Sequence, residues 1–197
     1  RNLSIGEDVS TKFSKWLSLG VLSPKQIISE VQSFEKKIKK NISTYWVFFE
    51  VLWRDFFHLQ CQKHGTKWYA LGGIRNAIVT EPKFCRETFD RWAKGRTDAP
   101  FVNAHMRELQ RTGYMSNRGR QVVASYLIHD LHQDWRRGAE LFEHLLIDYD
   151  VASNIGNWMY IAGVGNSQTK RVFNCENQQR KYDPGNKYTD FWLTGDK

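Results

Sequence analysis

The chain has 197 residues, 41% of them hydrophobic and 14% aromatic, which supports a packed core and excludes a disordered polar segment. Lys and Arg number 29 against 21 Asp and Glu, a net charge of +8; this suits a polyanion such as nucleic acid, an acidic partner or an anionic membrane surface, with plain solubility an equal alternative. Cys61, Cys85 and Cys175 stand far apart with no Cys-x-x-Cys spacing, which excludes a disulfide framework and a structural zinc site and points to a reducing, intracellular compartment.

No run of the chain approaches a membrane span. In chain order, Ser10-Thr11-Lys12-Phe13-Ser14 sets hydroxyls around a lysine before the apolar Trp16-Leu17. Such a helix start either caps itself or presents hydroxyl and N–H groups to a pyrophosphate. Ser23-Pro24-Lys25-Gln26 supplies an N-cap, a first-turn proline and a capping-box glutamine. Ile27, Ile28, Val31, Phe34 and Ile38 follow at helical spacing, up to the solvated run Lys36, Lys37, Lys39, Lys40. A longer helix is expected over 43–65, with Gly65 as its C-cap.

Within that helix Glu50, Trp53 and Arg54 share one face. Their apolar neighbours Val47, Val51 and Phe57 place the carboxylate and guanidinium at or near a buried surface. An ion pair beside a core tryptophan explains this, and is favoured on the helix alone; a polar ligand also explains it.

The stretch 72–83 reads as loop; Pro100 precedes a helix over 103–112, closed by Gly113. Two further helices fit 118–131 and 135–146. The first begins in the basic stretch Ser116-Asn117-Arg118-Gly119-Arg120-Gln121, a place that attracts anions. After Tyr149 the pattern breaks into a Gly- and Asn-rich loop containing Asn154, Gly156, Asn157, Gly163, Gly165 and Asn166. Asp148 and Asp150 have no His or third acid close by, so no metal site is expected; a carboxylate pair holding an arginine and a heterocycle N–H fits as well. There is no repeat, linker or low-complexity block, and the expectation is a single all-helical domain over 1–197.

Taken in order, these clusters resemble one family, the photolyases and cryptochromes, and within it the DASH branch. The resemblance runs through Thr11-Lys12-Phe13-Ser14, the helix from Ser43 to Phe57, Met106-Arg107-Glu108-Leu109, Asn117-Arg118-Gly119-Arg120-Gln121, Asp134-Trp135-Arg136, Asp148-Tyr149-Asp150 and Gly156-Asn157-Trp158. It covers Arg1 to Leu193 and implies an all-α FAD-binding half without the α/β antenna half. By that resemblance Thr11, Lys12, Phe13 and Ser14 form the diphosphate-binding segment, and Trp53, Arg54 and Asn117 lie beside the cofactor. Arg120 would pair with Asp148, Asp150 would accept from the flavin ring, and Asn154 would face its redox-active edge.

Glu50, Trp53, Asn117, Arg118, Gln121 and Tyr160 match positions facing a flipped pyrimidine dimer in DNA, possible in single strands on the DASH branch. Trp158 and Trp135 match the inner two of three electron-supplying tryptophans, whereas Pro82 stands near the outermost, so Trp68 or a tyrosine would have to substitute. Asp98 replaces a usual glycine and Asn103 a usual aspartate. The implied activity is light-driven repair of cyclobutane pyrimidine dimers. The alternatives are a flavin photoreceptor without repair, or a subunit of a larger assembly with protein partners. An organelle (chloroplast or mitochondrion) or the nucleus is the expected compartment.

Overall fold

A computed structural model describes residues 10–195. Among the described residues ten α-helices follow one another: α1 Ser14–Ser18, α2 Pro24–Lys37, α3 Ile42–His64, α4 Arg86–Ala93, α5 Pro100–Thr112, α6 Asn117–Ser125, α7 Trp135–Leu145, α8 Val151–Ala162, α9 Cys175–Tyr182 and α10 Lys187–Thr194. No strand occurs there, and no helix there is long and apolar enough to cross a membrane.

Local chemistry sets most boundaries. Ser23 and Gln26 form the reciprocal capping box of α2, with Pro24 in the first turn. Asn41 is the N-cap of α3 and accepts from the N–H groups of Ser43 and Thr44. Pro100 opens α5 and Gly113, at φ 69°, closes it. The helix expected over 118–131 is α6 followed by a π-helical turn, Tyr126–Asp130.

α8 corrects the sequence reading, which puts loop after Tyr149. It is a helix, capped by Asp150 and closed by Gly163, and it buries Ala152, Asn154, Ile155, Gly156, Trp158, Met159, Ile161 and Ala162. Its poor helix formers are there for packing rather than propensity. A Cβ on Gly156 would sit 2.6 Å from Phe57 Cε1 on α3, and one on Gly138 would sit 2.6 Å from Trp158 Cζ3. α3 and α7 therefore approach α8 closely at glycines, and α6 also packs on it. Asn154 donates its amide to the Ala139 carbonyl of α7 at 2.9 Å. The helix is selected by its neighbours.

A second core element is α5, whose Phe101, Val102, Met106 and Leu109 are fully enclosed and which packs against α6 and α10. α10 is tied there by polar groups. Tyr188 Oη donates to Glu108 Oε2 at 2.5 Å and accepts from His105 Nδ1 at 2.6 Å, with His105 and Glu108 wholly buried. Burial and the Glu108 carboxylate push the Tyr188 hydroxyl well above its ordinary range. Tyr188→Phe strips both groups of this partner, and we expect it to cost about 1–3 kcal/mol in urea unfolding. An unchanged midpoint would show that the cluster contributes no net stability.

At Asn103, where the resemblance implies an aspartate, the side chain accepts from Thr97 N at 2.8 Å and Thr97 Oγ1 at 2.7 Å and donates to the Thr97 carbonyl. It pins the α4–α5 connection without needing a charge. Asp98, where the resemblance implies a glycine, is exposed and pairs with Arg91 at 3.1 Å.

Candidate functional site

α1, α3, α6, α7 and α8 enclose a cavity of about 690 Å³. That is ample for a drug-sized or larger organic ligand, since such pockets run from about 300 to 1,000 Å³. One part of the wall is hydroxyl-rich, from Ser10, Thr11 and Ser14 ahead of and within α1. Another is apolar, from Phe142, Leu146, Trp158 and Ile161. The wall also carries Arg54, Arg120, Asp148, Asp150 and Asn154.

The central feature is an ion pair. Arg120 Nη2 donates to both oxygens of Asp148, at 3.0 and 2.8 Å, and its Nε donates to the Met115 carbonyl at 2.8 Å. The Asp148 side chain is 2% exposed and that of Arg120 27%, so the pair is held rigid with one side open to the cavity. The pairing expected from the resemblance is present.

Asp150 has a different local role as the N-cap of α8. Its Oδ1 accepts from Ser153 N at 2.8 Å, while Oδ2 lies 2.8 Å from His58 Nε2 and 3.9 Å from Arg54 Nη2. Burial pushes this carboxyl up, but the cap hydrogen bonds, His58 and Arg54 outweigh it and hold it below the usual range. Asn154 is 8% exposed; with its amide nitrogen bound to Ala139, its oxygen is the end left for a ligand.

Glu50, Asn117, Arg118 and Gln121 also line the cavity, as do Thr11, Phe13 and Ser14. Gln121 Oε1 is buried without a hydrogen-bond partner among the described residues. Arg118 stacks over Tyr182 at 4.9 Å and Phe173 at 5.5 Å, which fixes its guanidinium at the helix start.

Other candidate residues stand away from the wall. Lys12 adopts φ 53° and lines a small neighbouring hollow with Lys15 and Tyr114. Trp53 is 38% exposed and absent from the lining, whereas Glu50, on the same helix, is exposed toward the cavity it lines. Trp53 instead joins a ladder of rings with Phe49, Phe56 and Phe57. Tyr160 packs under Arg171, outside the cavity lining.

Trp135 is buried, is not part of the wall and donates Nε1 to the Leu71 carbonyl at 3.0 Å. Trp158 is in the wall, and against it pack Phe142 at 5.1 Å and Trp92 at 6.3 Å. The sequence reading singles out neither Trp92 nor His58. His58 has a signal, since it follows Arg54 by one helical turn; Trp92 has none, because its helix carries no motif.

The family model for the FAD-binding domain of DNA photolyase matches residues 46–195. Cryptochrome DASH of Xenopus laevis is 50% identical over 98% of this chain and 37% of that protein. The rice protein Cryptochrome DASH, chloroplastic/mitochondrial, is 50% identical over 98% of this chain and 33% of its own. The crystal structure of the Synechocystis sp. PCC6803 cryptochrome superposes with a TM-score of 0.94 at 49% identity, covering 98% of this chain and 40% of that one. The chain thus spans about two fifths, or less, of these relatives' length.

FAD fits the residues present. A hydroxyl-rich segment suits a diphosphate, the apolar wall suits a tricyclic ring, and the Arg120–Asp148 pair and Asn154 offer polar points to it. The chain belongs to the photolyase and cryptochrome family as its helical FAD-binding domain, of the cryptochrome DASH type.

Proposed function

We propose that this chain acts as one helical unit that holds FAD and serves light-driven, one-electron repair of cyclobutane pyrimidine dimers in DNA, single-stranded DNA included. The observation that carries the reading is the sharing of one cavity by two residue sets: the Arg120–Asp148 pair with Asn154, and Glu50, Asn117, Arg118 and Gln121. The first set suits a flavin and the second a base lifted from the stack.

When bound, FAD in its reduced state supplies a photoexcited electron donor. Around it this chain's residues bind and orient. Thr11 and Ser14 would hold the diphosphate. Arg120 and Asp148 would set charge against the ring system, and Asp150 and Asn154 would contact its polar edge. Glu50 would hydrogen-bond the damaged bases, and Arg118, stacked over two rings, would hold a backbone phosphate. Trp158 and Trp135 would supply electrons to the flavin. An organelle is the proposed compartment, since the rice relative's name carries it.

The test is direct. Purified protein should release flavin on denaturation, and after reduction and blue light it should split dimers in an oligonucleotide. Glu50→Gln is expected to slow splitting by roughly 10- to 100-fold, the worth of a charged hydrogen bond, and to leave flavin binding nearly intact. Equal loss of both would show its role is structural.

A second reading, a docking subunit of a larger assembly, is favoured by one feature. Tyr45, Phe48, Leu52 and Leu59 form an exposed apolar stripe along α3. Colourless protein with no flavin would support it over repair.

A further inference from the structure

His58 lies outside the cavity wall, yet it makes a close side-chain contact to one of the wall's carboxylates, closer than that of Arg54. Its Nε2 stands 2.8 Å from Asp150 Oδ2, joining α3 to the cap of α8 across 92 residues of sequence. An ionised carboxylate only accepts, so the ring must donate from Nε2 whether it is neutral or charged.

The rest of the geometry makes this bond decisive for where Asp150 points. Oδ1 is taken by the Ser153 N–H, so that end is fixed by the helix cap. Among the described residues the other oxygen has two holders, both on α3. Arg54 is one, but it is 3.9 Å away and also lies 3.6 Å from Asp55. His58 is the other. Without it, the outer oxygen is left to an arginine shared with a second acid, and rotation of the carboxylate becomes cheap.

We infer that His58 is a positioning residue for the cofactor pocket, holding the Asp150 carboxylate in the one orientation that serves a ligand in the cavity. The inference rests on FAD occupying that cavity. His58 has no direct part in it; its whole effect passes through Asp150.

The test uses the full chain, stripped of flavin and titrated with FAD, with the flavin absorption band recorded for each variant. His58→Phe is expected to weaken FAD binding about tenfold, the worth of one lost hydrogen bond to a charged group. Its bound flavin should take on the band position seen in Asp150→Ala. His58→Gln, which keeps an N–H donor, should restore most of the affinity and the native band. In the Asp150→Ala background, His58→Phe should change affinity less than about twofold, because coupled residues do not add. Should the phenylalanine variant not fold, His58→Ala carries the same comparison.

Unchanged affinity and band in His58→Phe, failure of glutamine to rescue, or a full tenfold loss in the Asp150→Ala background would each overturn the inference alone. Wild-type protein that takes up no FAD would overturn both it and the cofactor reading.

Discussion

Asp148→Ala should unfold about 3 kcal/mol more readily than the wild type, measured by urea denaturation of the flavin-free chain. Breaking a buried ion pair typically costs about 3–5 kcal/mol, because the surviving charge stays desolvated. Here the Arg120 side chain is 27% exposed through the cavity, so the low end applies. Nε keeps its bond to the Met115 carbonyl, which prevents the guanidinium from simply swinging out to water. Flavin uptake should be lost as well. An unchanged denaturation midpoint would mean that Arg120 relaxes freely and that the pair is not a rigid part of the cavity.

Gly138→Ala is the second large effect, and its sign is the informative part. In a helix such as α7, helix propensity alone predicts a gain of roughly 0.5–1 kcal/mol from this change. The new methyl would instead lie 2.6 Å from Trp158 Cζ3 and 2.7 Å from Leu127 Cδ2. Trp158 is 2% exposed and already meets Phe142 and Trp92, so the ring can yield only toward the cavity it lines. Overpacking of this kind costs about 1–3 kcal/mol. We therefore expect net destabilisation with weaker flavin binding, checked by thermal melting and FAD titration. A stabilised variant would show that the α7–α8 contact has slack.

Much of the site is legible in the order of residues alone. Arg120 with Asp148, and the hydroxyls at 10–14, lie in motifs whose order and chemistry point to one flavin pocket. Boundaries written in capping chemistry are legible too, as at Ser23–Gln26 and Gly113. The rest is hidden for identifiable reasons. α8 reads as loop because glycine and asparagine weaken helix propensity, yet Gly156 is there to admit Phe57 and Asn154 to reach Ala139. α4, α9 and α10 carry short or polar patterns that periodicity does not separate from loop.

By itself, then, the sequence determined the helical class, the family and the chemical types gathered around the cofactor. Those rest on local spacing and on residue identity, which the chain carries along its own length. Only the tertiary structure decided which of the candidates share a wall: Glu50, Arg118 and Gln121 do, while Trp53, Tyr160 and Lys12 do not. It alone brought His58 to Asp150 and Trp92 to Trp158. The reason is physical. Contacts between side chains far apart in sequence depend on how α3, α4 and α7 pack on α8, and no spacing along one helix encodes the position of another.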